Sequence, residues 1–377
     1  MFEPRYQISP KTLSNMTGIA EIKAVVERSR VLPLNEAQLR RQAILRMAHT
    51  STSIEGNKLA EFEVGKVLEG KSVRASQKDV LEVENYYQAL KILEDMAKIK
   101  KDISPDEILR LHKIVIEGLV EKEKTAKFRP SDVYVLDDLG DGREMLRFKA
   151  PPASSVAKLI KDLLDWLKQS KKDRIHPIIR AGILHLQFVT IHPFTDGNGR
   201  VARLLTQLQL YRDNWDFRKI LVLEDYYNRD RLSYYKAENL AQGKQYEKDM
   251  DFSGWLEYFT TGFLIEARKA LEQIQSIGFG RISKKSEQVF LDRDEILIMD
   301  FLTTTGRITS DDVTDILKVA KRSAQLKLKK LVDNGLVKPQ GKGPSTYYVI
   351  AITCAIIARS ATFQESPSTP LGTRKLT

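Results

Sequence analysis

The stretch of sequence that decides the fold is residues 181–210, AGILHLQFVTIHPFTDGNGRVARLLTQLQL. Two apolar segments of helical character lie on either side of a short loop with a histidine, a carboxylate, an amide, glycines and two arginines. Glycines allow backbone N–H groups to approach a bound anion and to point at it. The second helix is expected to begin near Gly199, where its N-terminal N–H groups and its dipole also favour an anion. The pattern therefore predicts an anion-binding loop between two apolar helices.

The side chains of this loop suit a nucleotide polyphosphate. Arg200 and Arg203 can make bidentate contacts with phosphate oxygens. Asp196 can hold a Mg²⁺ ion that bridges those phosphates, and His192 can accept a proton near neutral pH. The loop is neither a Walker A loop nor a dinucleotide fingerprint, because GxxxxGK[ST] is absent and no strand is predicted before it. These residue types indicate a site for a polyphosphate and a hydroxyl nucleophile.

Residues 192–203, HPFTDGNGRVAR, resemble the signature of the Fic (filamentation induced by cAMP) family, HxFx[DE]GNGRxxR, at all of its fixed positions. The wider resemblance covers about residues 35–265, where FRPSDVYV and FKAPPASSV look like the substrate-binding flap of the family and the segment after it. It implies a mainly α fold, with a Fic-type helical core that carries one β-hairpin flap. It also implies ATP-dependent transfer of AMP to a Ser, Thr or Tyr hydroxyl of a protein, with release of pyrophosphate.

The resemblance assigns a role to each matching loop residue. His192 would deprotonate the attacking hydroxyl, and Asp196 would coordinate Mg²⁺ on the α- and β-phosphates. Phe194 would pack into the core and anchor the loop. The remaining positions would bind the phosphates of ATP: Gly197, Asn198 and Gly199 as an anion nest with Asn198 at the α-phosphate, Arg200 at the β-phosphate, and Arg203 at the γ-phosphate.

A tyrosine-rich stretch, residues 226–235, resembles the nucleobase-side helix of the family. Tyr235 and Gln242 are seven positions apart, so both can lie on one helical face. The resemblance implies that this face contacts adenine. Packing of the tyrosines into the core is the alternative.

Residues 51–57, STSIEGN, match the inhibitory motif of the family, [ST]xxxE[GN], through Ser51 and Glu55. A glutamate beside the γ-phosphate site would pair with Arg203, withdraw it from ATP and repel the phosphates. ATP would then bind badly aligned, and in-line attack needs alignment. The motif predicts an inhibitory element on the N-terminal side of the core. An ordinary helix C-terminus at Gly56 is the alternative.

Residues 292–350 follow the order helix, helix–turn–helix, hairpin, which predicts a winged helix. On residues 320–333 the apolar positions are expected to face the core, and the outer face carries basic and amide side chains: Lys321, Arg322, Gln325 and Lys329. That face suits DNA phosphates and base edges. Winged helices also serve as protein-docking or dimerisation modules, so a homodimer is a second expectation for this module.

The composition limits the class of protein. The chain has 377 residues, a formal net charge of +11 and one cysteine, which excludes an internal disulfide framework and a four-thiolate zinc site. No stretch reaches 18 apolar residues and the N-terminus lacks a secretory signal, so we expect a cytoplasmic protein without a membrane span. The expected organisation is an N-terminal helical region with the inhibitory motif (1–100), a Fic catalytic core (101–275), a winged helix (276–350) and a disordered tail (351–377).

The sequence thus predicts an autoinhibited protein adenylyltransferase that uses ATP as co-substrate and Mg²⁺ as cofactor. The chain itself is one candidate for the protein that is modified. The alternatives are a Fic enzyme that removes AMP or uses another nucleotide, and a DNA-binding regulator whose Fic core acts as a sensor. Four further histidines are expected to be hydrogen-bonded structural residues: His49, His112, His176 and His185.

Overall fold

The computed structural model describes residues 2–29, 31, 33–99, 101–138, 144–278, 292–333, 336–341, 343 and 346–350. The chain divides into two compact units, Met1–Ile282 and Ser283–Thr377, and each is described by itself. The four domain bounds given above stay a prediction. Within the described ranges, no helix combines the length and the apolar character that crossing a bilayer requires.

The first unit is mainly helical. Its α-helices are α1 Pro10–Arg28, α2 Pro33–Ile54, α3 Glu61–Leu68, α4 Gln77–Lys98, α5 Pro105–Val115, α6 Val156–Lys172, α7 Pro177–Ile191, α8 Asn198–Arg212, α9 Glu224–Arg229, α10 Arg231–Gln242 and α11 Ser253–Gly278. Nearly all side chains of α7 and α8 are buried. Those of α7 are mostly apolar, whereas α8 also buries polar side chains such as Arg200, Arg203 and Thr206. These two helices therefore form the centre of the core, and the loop between them is held by the surrounding helices.

Helix α2 continues through the motif residues Ser51–Ser53 and ends at Ile54. The hydroxyl of Thr50 donates to the carbonyl of Arg46, and the hydroxyl of Thr52 donates to that of Ala48. These bonds satisfy the buried hydroxyls on the helix itself, so Thr50 and Thr52 place no unpaired polar group in the core. The inhibitory motif is therefore the last turn of a helix plus the turn that follows.

The flap is a two-stranded antiparallel hairpin of β1 Tyr134–Asp138 and β2 Glu144–Lys149. Tyr134 pairs with Lys149, and the register shifts at a bulge between Val135 and Leu136. The residues that join the two strands, 139–143, lie outside the described residues. The prediction of a mainly α fold that carries one such hairpin in its first unit is confirmed.

The second unit has its own small core. Its elements are α12 Arg293–Thr305, α13 Ser310–Leu317, α14 Lys321–Asp333, β3 Val337–Gln340 and β4 Tyr347–Ile350, with the two strands antiparallel. Ile298, Val313 and Leu328 are fully buried in it. The order of elements is the one that the sequence pattern predicts. The winged-helix assignment stays a prediction, and the predicted disordered tail lies outside the described residues.

Candidate active site

His192 ends helix α7 in the left-handed conformation, at φ 49° and ψ 59°. Pro193 follows it and cannot continue the helix, because it has no N–H to donate. The Nδ1 atom of His192 lies 3.3 Å from the carbonyl oxygen of Val189. Since a carbonyl can only accept, Nδ1 carries the proton and Nε2 keeps its lone pair. Burial lowers the pKa of His192 to about 4, so the ring is a neutral base at physiological pH.

His112 braces the loop that follows. Its ring stacks on Phe194 with a centroid separation of 3.6 Å, and Phe194 is fully buried, as expected. The Nδ1 atom of His112 accepts from the Ala126 N–H, so Nε2 carries the proton and donates to the carbonyl of Asp196 at 3.2 Å. Burial lowers the pKa of His112 to about 4, which keeps this arrangement neutral. The prediction of a hydrogen-bonded structural histidine is confirmed, although its position beneath the loop was not foreseen.

Asn198 closes the loop on itself. Its Nδ2 donates to the carbonyl of Phe194 at 2.8 Å, and its Oδ1 accepts from the N–H of the same residue at 2.9 Å. Gly197 has φ 84°, and a Cβ there would lie 2.9 Å from Ile116 Cγ2, so only glycine fits this turn. The amide of Asn198 thus maintains the loop shape, and its predicted contact with an α-phosphate stays a prediction.

Helix α8 begins directly behind this turn and presents Arg200. The guanidinium is 3% exposed, and its Nη2 donates to Asp196 Oδ1 at 3.1 Å. Its Nε and Nη1 atoms have no hydrogen-bond partner among the described residues. Buried donors without partners are costly, so this guanidinium favours the arrival of an anion.

Asp196 is the candidate metal ligand. Its side chain is half exposed, and its Oδ1 accepts from the Gly197 N–H and from Arg200. Among the described residues no group of three or more His, Cys, Asp or Glu side chains could hold a metal ion by itself. A single accessible carboxylate beside an anion site fits Mg²⁺, which usually takes one or two protein carboxylates and completes its shell with phosphates and water.

Arg203 lies one helical turn further on and is held by the inhibitory motif. Its Nη2 donates to Glu55 Oε1 at 2.7 Å and to the Ser51 carbonyl at 2.9 Å, and its Nε donates to Ser51 Oγ at 2.8 Å. Burial by itself would lower the pKa of Arg203, but the Glu55 carboxylate outweighs it and the pKa is raised. A Cβ built on Gly199 would lie 2.4 Å from Glu55 Oε1, so the carboxylate rests against the N-terminal turn of α8. It therefore fills the place where a terminal phosphate is expected.

One pocket, with a volume of about 140 Å³, brings six of the predicted site residues together, whereas five others do not line it: Ser51, Asp196, Gly197, Asn198 and Arg200. His192, Gly199 and Arg203 line it from the loop and α8, Glu55 from the inhibitory motif, and Tyr235 with Gln242 from α10. The Tyr235 hydroxyl donates to the Ile54 carbonyl at 3.2 Å, and Gln242 Nε2 donates to Thr190 Oγ1 at 3.0 Å. Burial and then Glu55 raise the pKa of Tyr235 to about 12, so it stays a donor. Three further polar residues that line the pocket were not predicted from the sequence: Arg147, Glu238 and Asn239.

Arg129 was also missed, although it connects the flap segment to the loop. Its Nε donates to the carbonyl of His192 at 2.8 Å, its Nη1 donates to that of Ser131 at 2.9 Å, and its Nη2 donates to that of Pro151. It is 3% exposed. An arginine before a proline in a segment that resembles the flap is a weak signal, because two of its three acceptors are backbone carbonyls distant in sequence.

Residues 102–210 match the profile of the Fic/DOC family. The chain is 36% identical over 185 residues to the protein adenylyltransferase fic-1 of Caenorhabditis elegans, which covers 47% of this chain and 33% of that protein. It is 30% identical over 218 residues to the protein adenylyltransferase Fic of Nematostella vectensis, which covers 56% of this chain and 45% of that protein. The chain thus spans between a third and a half of the length of these curated relatives.

Solved structures of Fic proteins share the fold. A Fic family protein from Desulfovibrio desulfuricans G20 superposes with a TM-score of 0.62 at 24% identity, over 93% of this chain and 99% of that one. Fic-1 from Caenorhabditis elegans superposes with a TM-score of 0.57 at 22% identity, over 70% of this chain and 73% of that one. At these identities the likeness concerns the fold.

Proposed function

Because residues 102–210 match the profile of the Fic/DOC family, we propose that the chain is an autoinhibited protein adenylyltransferase. It transfers AMP from ATP to a Ser, Thr or Tyr hydroxyl of a protein, which can be the chain itself, and releases pyrophosphate. The observation that carries the proposal is that His192, Arg203 and Glu55 line the same pocket. His192 is the base, Arg203 is the cation, and Glu55 is the carboxylate that blocks it. The names of the curated relatives support the same reaction.

The base in this reaction is Nε2 of His192. It takes the proton of the attacking hydroxyl while the hydroxyl oxygen bonds to the α-phosphorus and the bond to the pyrophosphate oxygen breaks. The bond from Nδ1 to the Val189 carbonyl holds the tautomer that leaves Nε2 free. Since the pKa of His192 is lowered to about 4, the ring is unprotonated at neutral pH and available as a base.

The phosphates are held by the N-terminal turn of α8 and its two arginines. Arg200 supplies the donors that lack partners, at the β-phosphate, and Arg203 supplies a bidentate fork for the γ-phosphate once Glu55 leaves. Asp196 is the residue that would hold Mg²⁺, which when bound neutralises phosphate charge. Tyr235 and Gln242, which line the same pocket, are the proposed adenine contacts.

Glu55 inhibits by occupying the γ-phosphate position. The 2.7 Å bond to Arg203 uses the donors that ATP needs, and the carboxylate would repel the phosphate at short range. Ser51 contributes to the same hold through its hydroxyl and its carbonyl. ATP that binds beside this pair is misaligned for in-line attack, and transfer is slow.

Mass spectrometry of the Glu55→Gly protein incubated with ATP, alone and in lysate, tests the reaction. The expected result is an AMP adduct, whose location identifies the target or self-modification. The matched control is Glu55→Gly with His192→Ala, which keeps the open pocket and lacks the base. An adduct of equal yield in both proteins, or none in either, would rule out the proposed chemistry.

A second candidate function, DNA binding by residues 292–350, is favoured by one observation on α14. Arg322, Gln325, Leu326 and Lys329 form an exposed stripe at helical spacing. Neither Arg322 nor Lys329 forms an ion pair with another residue that the structure describes. Other basic side chains of the helix are neutralised, as in the bond of Lys330 to Glu295 at 2.6 Å. The stripe offers free cations to phosphates and an apolar side chain to a thymine methyl group.

Mobility-shift assays with genomic fragments at several salt concentrations test this candidate. Replacing Arg322 and Lys329 by alanine should weaken binding and reduce the salt slope by about two. The control is the double replacement of Lys158 and Lys161, exposed lysines of α6 in the first unit, which removes the same charge. No shift, together with a concentration-dependent dimer in size-exclusion chromatography, would support the dimerisation alternative for this unit.

A further inference from the structure

Glu82, on helix α4, lies between the inhibitory turn and the arginine at the proposed β-phosphate position. Its Oε2 accepts from Asn57 Nδ2 at 2.9 Å, and its Oε1 is 3.7 Å from Arg200 Nη1. Glu82 is 7% exposed and Arg200 is 3% exposed. Two buried opposite charges at this distance attract each other strongly, because water screens them poorly. The inhibitory turn is thus in contact with both proposed phosphate-binding arginines, with Arg203 directly and with Arg200 through Glu82.

The two glutamates act on their arginines in opposite ways. Glu55 accepts a hydrogen bond of 2.7 Å from Arg203 and so consumes a donor that ATP needs. Glu82 is too far from Arg200 for a hydrogen bond, so it attracts the guanidinium and leaves Nε and Nη1 without a partner among the described residues. Its charge can hold the side chain in place while those donors stay available to a phosphate.

Asn57 fixes the carboxylate of Glu82. Its Nδ2 also donates to the Asp79 carbonyl at 2.9 Å, and its Oδ1 accepts from the Leu59 N–H at 3.1 Å. The side chain is 7% exposed, so these bonds are not exchanged with water. Asn57 follows Glu55 by two residues, and the turn that carries the inhibitory glutamate therefore also sets the position of Glu82.

We propose that Glu82 is a positioning residue that orients Arg200 for the β-phosphate, and that Asn57 couples it to the inhibitory turn. The inference rests on the proposed function, because it uses the phosphate role of Arg200. Removing the Glu55 carboxylate while the turn stays intact should release Arg203 and leave Arg200 aligned. Disturbing Asn57 or Glu82 should instead weaken ATP binding even when Glu55 is absent.

The experiment uses the full chain with Glu55→Ala, which removes the inhibitory carboxylate and keeps a side chain in the turn. Calorimetric titration with Mg·ATP gives Kd, and labelled ATP gives KM and kcat. We expect Glu82→Gln to raise Kd and KM by about three- to tenfold with a smaller change in kcat, since coupled buried pairs interact in this range. Asn57→Ala should act in the same direction with a smaller effect, and Glu82→Asp should retain part of the affinity.

Two controls separate positioning from folding. Glu84→Gln removes an exposed glutamate two residues away on α4. Glu107→Gln breaks an ion pair in which Glu107 Oε1 lies 2.5 Å from Arg212 Nη2. Glu107 is remote in sequence from the loop. Both should leave Kd unchanged, although Glu107→Gln lowers the melting temperature. In an Arg200→Ala background, Glu82→Gln should have no further effect on Kd, because the residue that it positions is gone.

The outcomes distinguish this inference from the proposed function. Unchanged or tighter Mg·ATP binding by Glu82→Gln, while Arg200→Ala weakens it, would overturn the positioning role. A loss of affinity in Glu82→Gln that Glu107→Gln reproduces would overturn it as well, since it would then reflect stability alone. Failure of the Glu55→Ala protein itself to bind Mg·ATP would count against the proposed function.

Discussion

Oε1 of Glu55 accepts a hydrogen bond of 2.7 Å from Nη2 of Arg203, a residue 148 positions later in the chain. The Arg203 side chain is 1% exposed and that of Glu55 is 31% exposed. The cation is therefore fixed in the core, and its partner reaches it from the rim of the pocket. Such a pair can be opened from the solvent side without unfolding the helix that carries the arginine. The proposed inhibitory role requires a carboxylate that can leave the arginine in this way.

Replacing Glu55 by glycine is expected to raise the rate of AMP transfer. A hydrogen bond to a charged group contributes about 1.5–3 kcal/mol, so releasing Arg203 to the γ-phosphate corresponds to roughly 10- to 100-fold in kcat/KM. Labelled ATP and gel electrophoresis measure the rate. An unchanged rate beside a correctly folded protein would contradict the inhibitory role.

Replacing His192 by alanine in the Glu55→Gly protein is expected to abolish transfer and to leave ATP binding within about twofold, because the base contacts the nucleophile rather than the phosphates. The pKa of His192 is lowered to about 4, so this residue stays unprotonated between pH 7 and pH 5. In the parent Glu55→Gly protein, titration of His192 should therefore not lower the rate in that range. The rate should fall as the pH drops through about 4. A pH–rate profile with an acidic limb near 6.5 would contradict a buried neutral base.

Replacing Arg231 by glutamine is expected to raise basal transfer modestly. Arg231 Nη2 donates to Ser53 Oγ at 2.7 Å and so ties helix α10 to the last turn of α2. Without this bond, the segment that carries Glu55 leaves the pocket more easily. The population of molecules with Glu55 outside the pocket should rise by about two- to tenfold. In the Glu55→Gly background the same replacement should add nothing, because no carboxylate remains to be released. An equal increase in both backgrounds would show that Arg231 acts on something other than the inhibitory segment.

The stability of the first unit is expected to fall as the pH drops from about 6.5 towards 4. His112 is 1% exposed and its pKa is lowered to about 4, so in this range the unfolded chain binds a proton that the folded chain excludes. The free energy of unfolding then rises with pH by about 1.4 kcal/mol per unit for each such histidine. Burial is also the largest cause of a lowered pKa at four other histidines, each of which makes stability rise with pH in the same way: His49, His176, His185 and His192.

Urea unfolding at pH 7 and pH 5 measures this dependence. Tryptophan fluorescence reports on the first unit alone, because the tryptophans of the chain are Trp166, Trp215 and Trp255. His112→Gln should reduce the difference between the two pH values, since glutamine does not titrate. A difference that the replacement leaves unchanged would contradict the assignment to His112.

Replacing Arg129 by lysine is expected to lower kcat and stability together. Three carbonyls accept from its guanidinium fork, and a lysine ammonium cannot reach all of them in that geometry. The unpaired carbonyls cost about 1–3 kcal/mol, and the His192 backbone loses its support. Urea unfolding and AMP transfer measure both effects, with Arg41→Lys on the exposed side of α2 as the control. Full activity in the Arg129 variant would show that the flap segment does not support the loop.

Much of the site could be predicted from the sequence because its chemistry is contiguous. The stretch from His192 to Arg203 has its turn, its glycine at positive φ and the start of α8 within 12 positions, and local backbone preferences determine such a loop. The motif of Ser51 and Glu55 was predicted in the same way, through its short spacing, and its inhibitory role stays a prediction.

The tertiary structure alone decided which distant side chains support that loop. His112, Arg129 and Glu82 lie in three separate segments, and each meets the loop or α8 only because the helices and the flap pack around α7 and α8. Their partners are largely backbone carbonyls or a single buried charge, which leave no periodic or motif signal in the sequence. Local interactions encode the reactive groups within a few residues of each other, whereas the burial that sets their pKa values and holds their donors in place exists only once the core has formed.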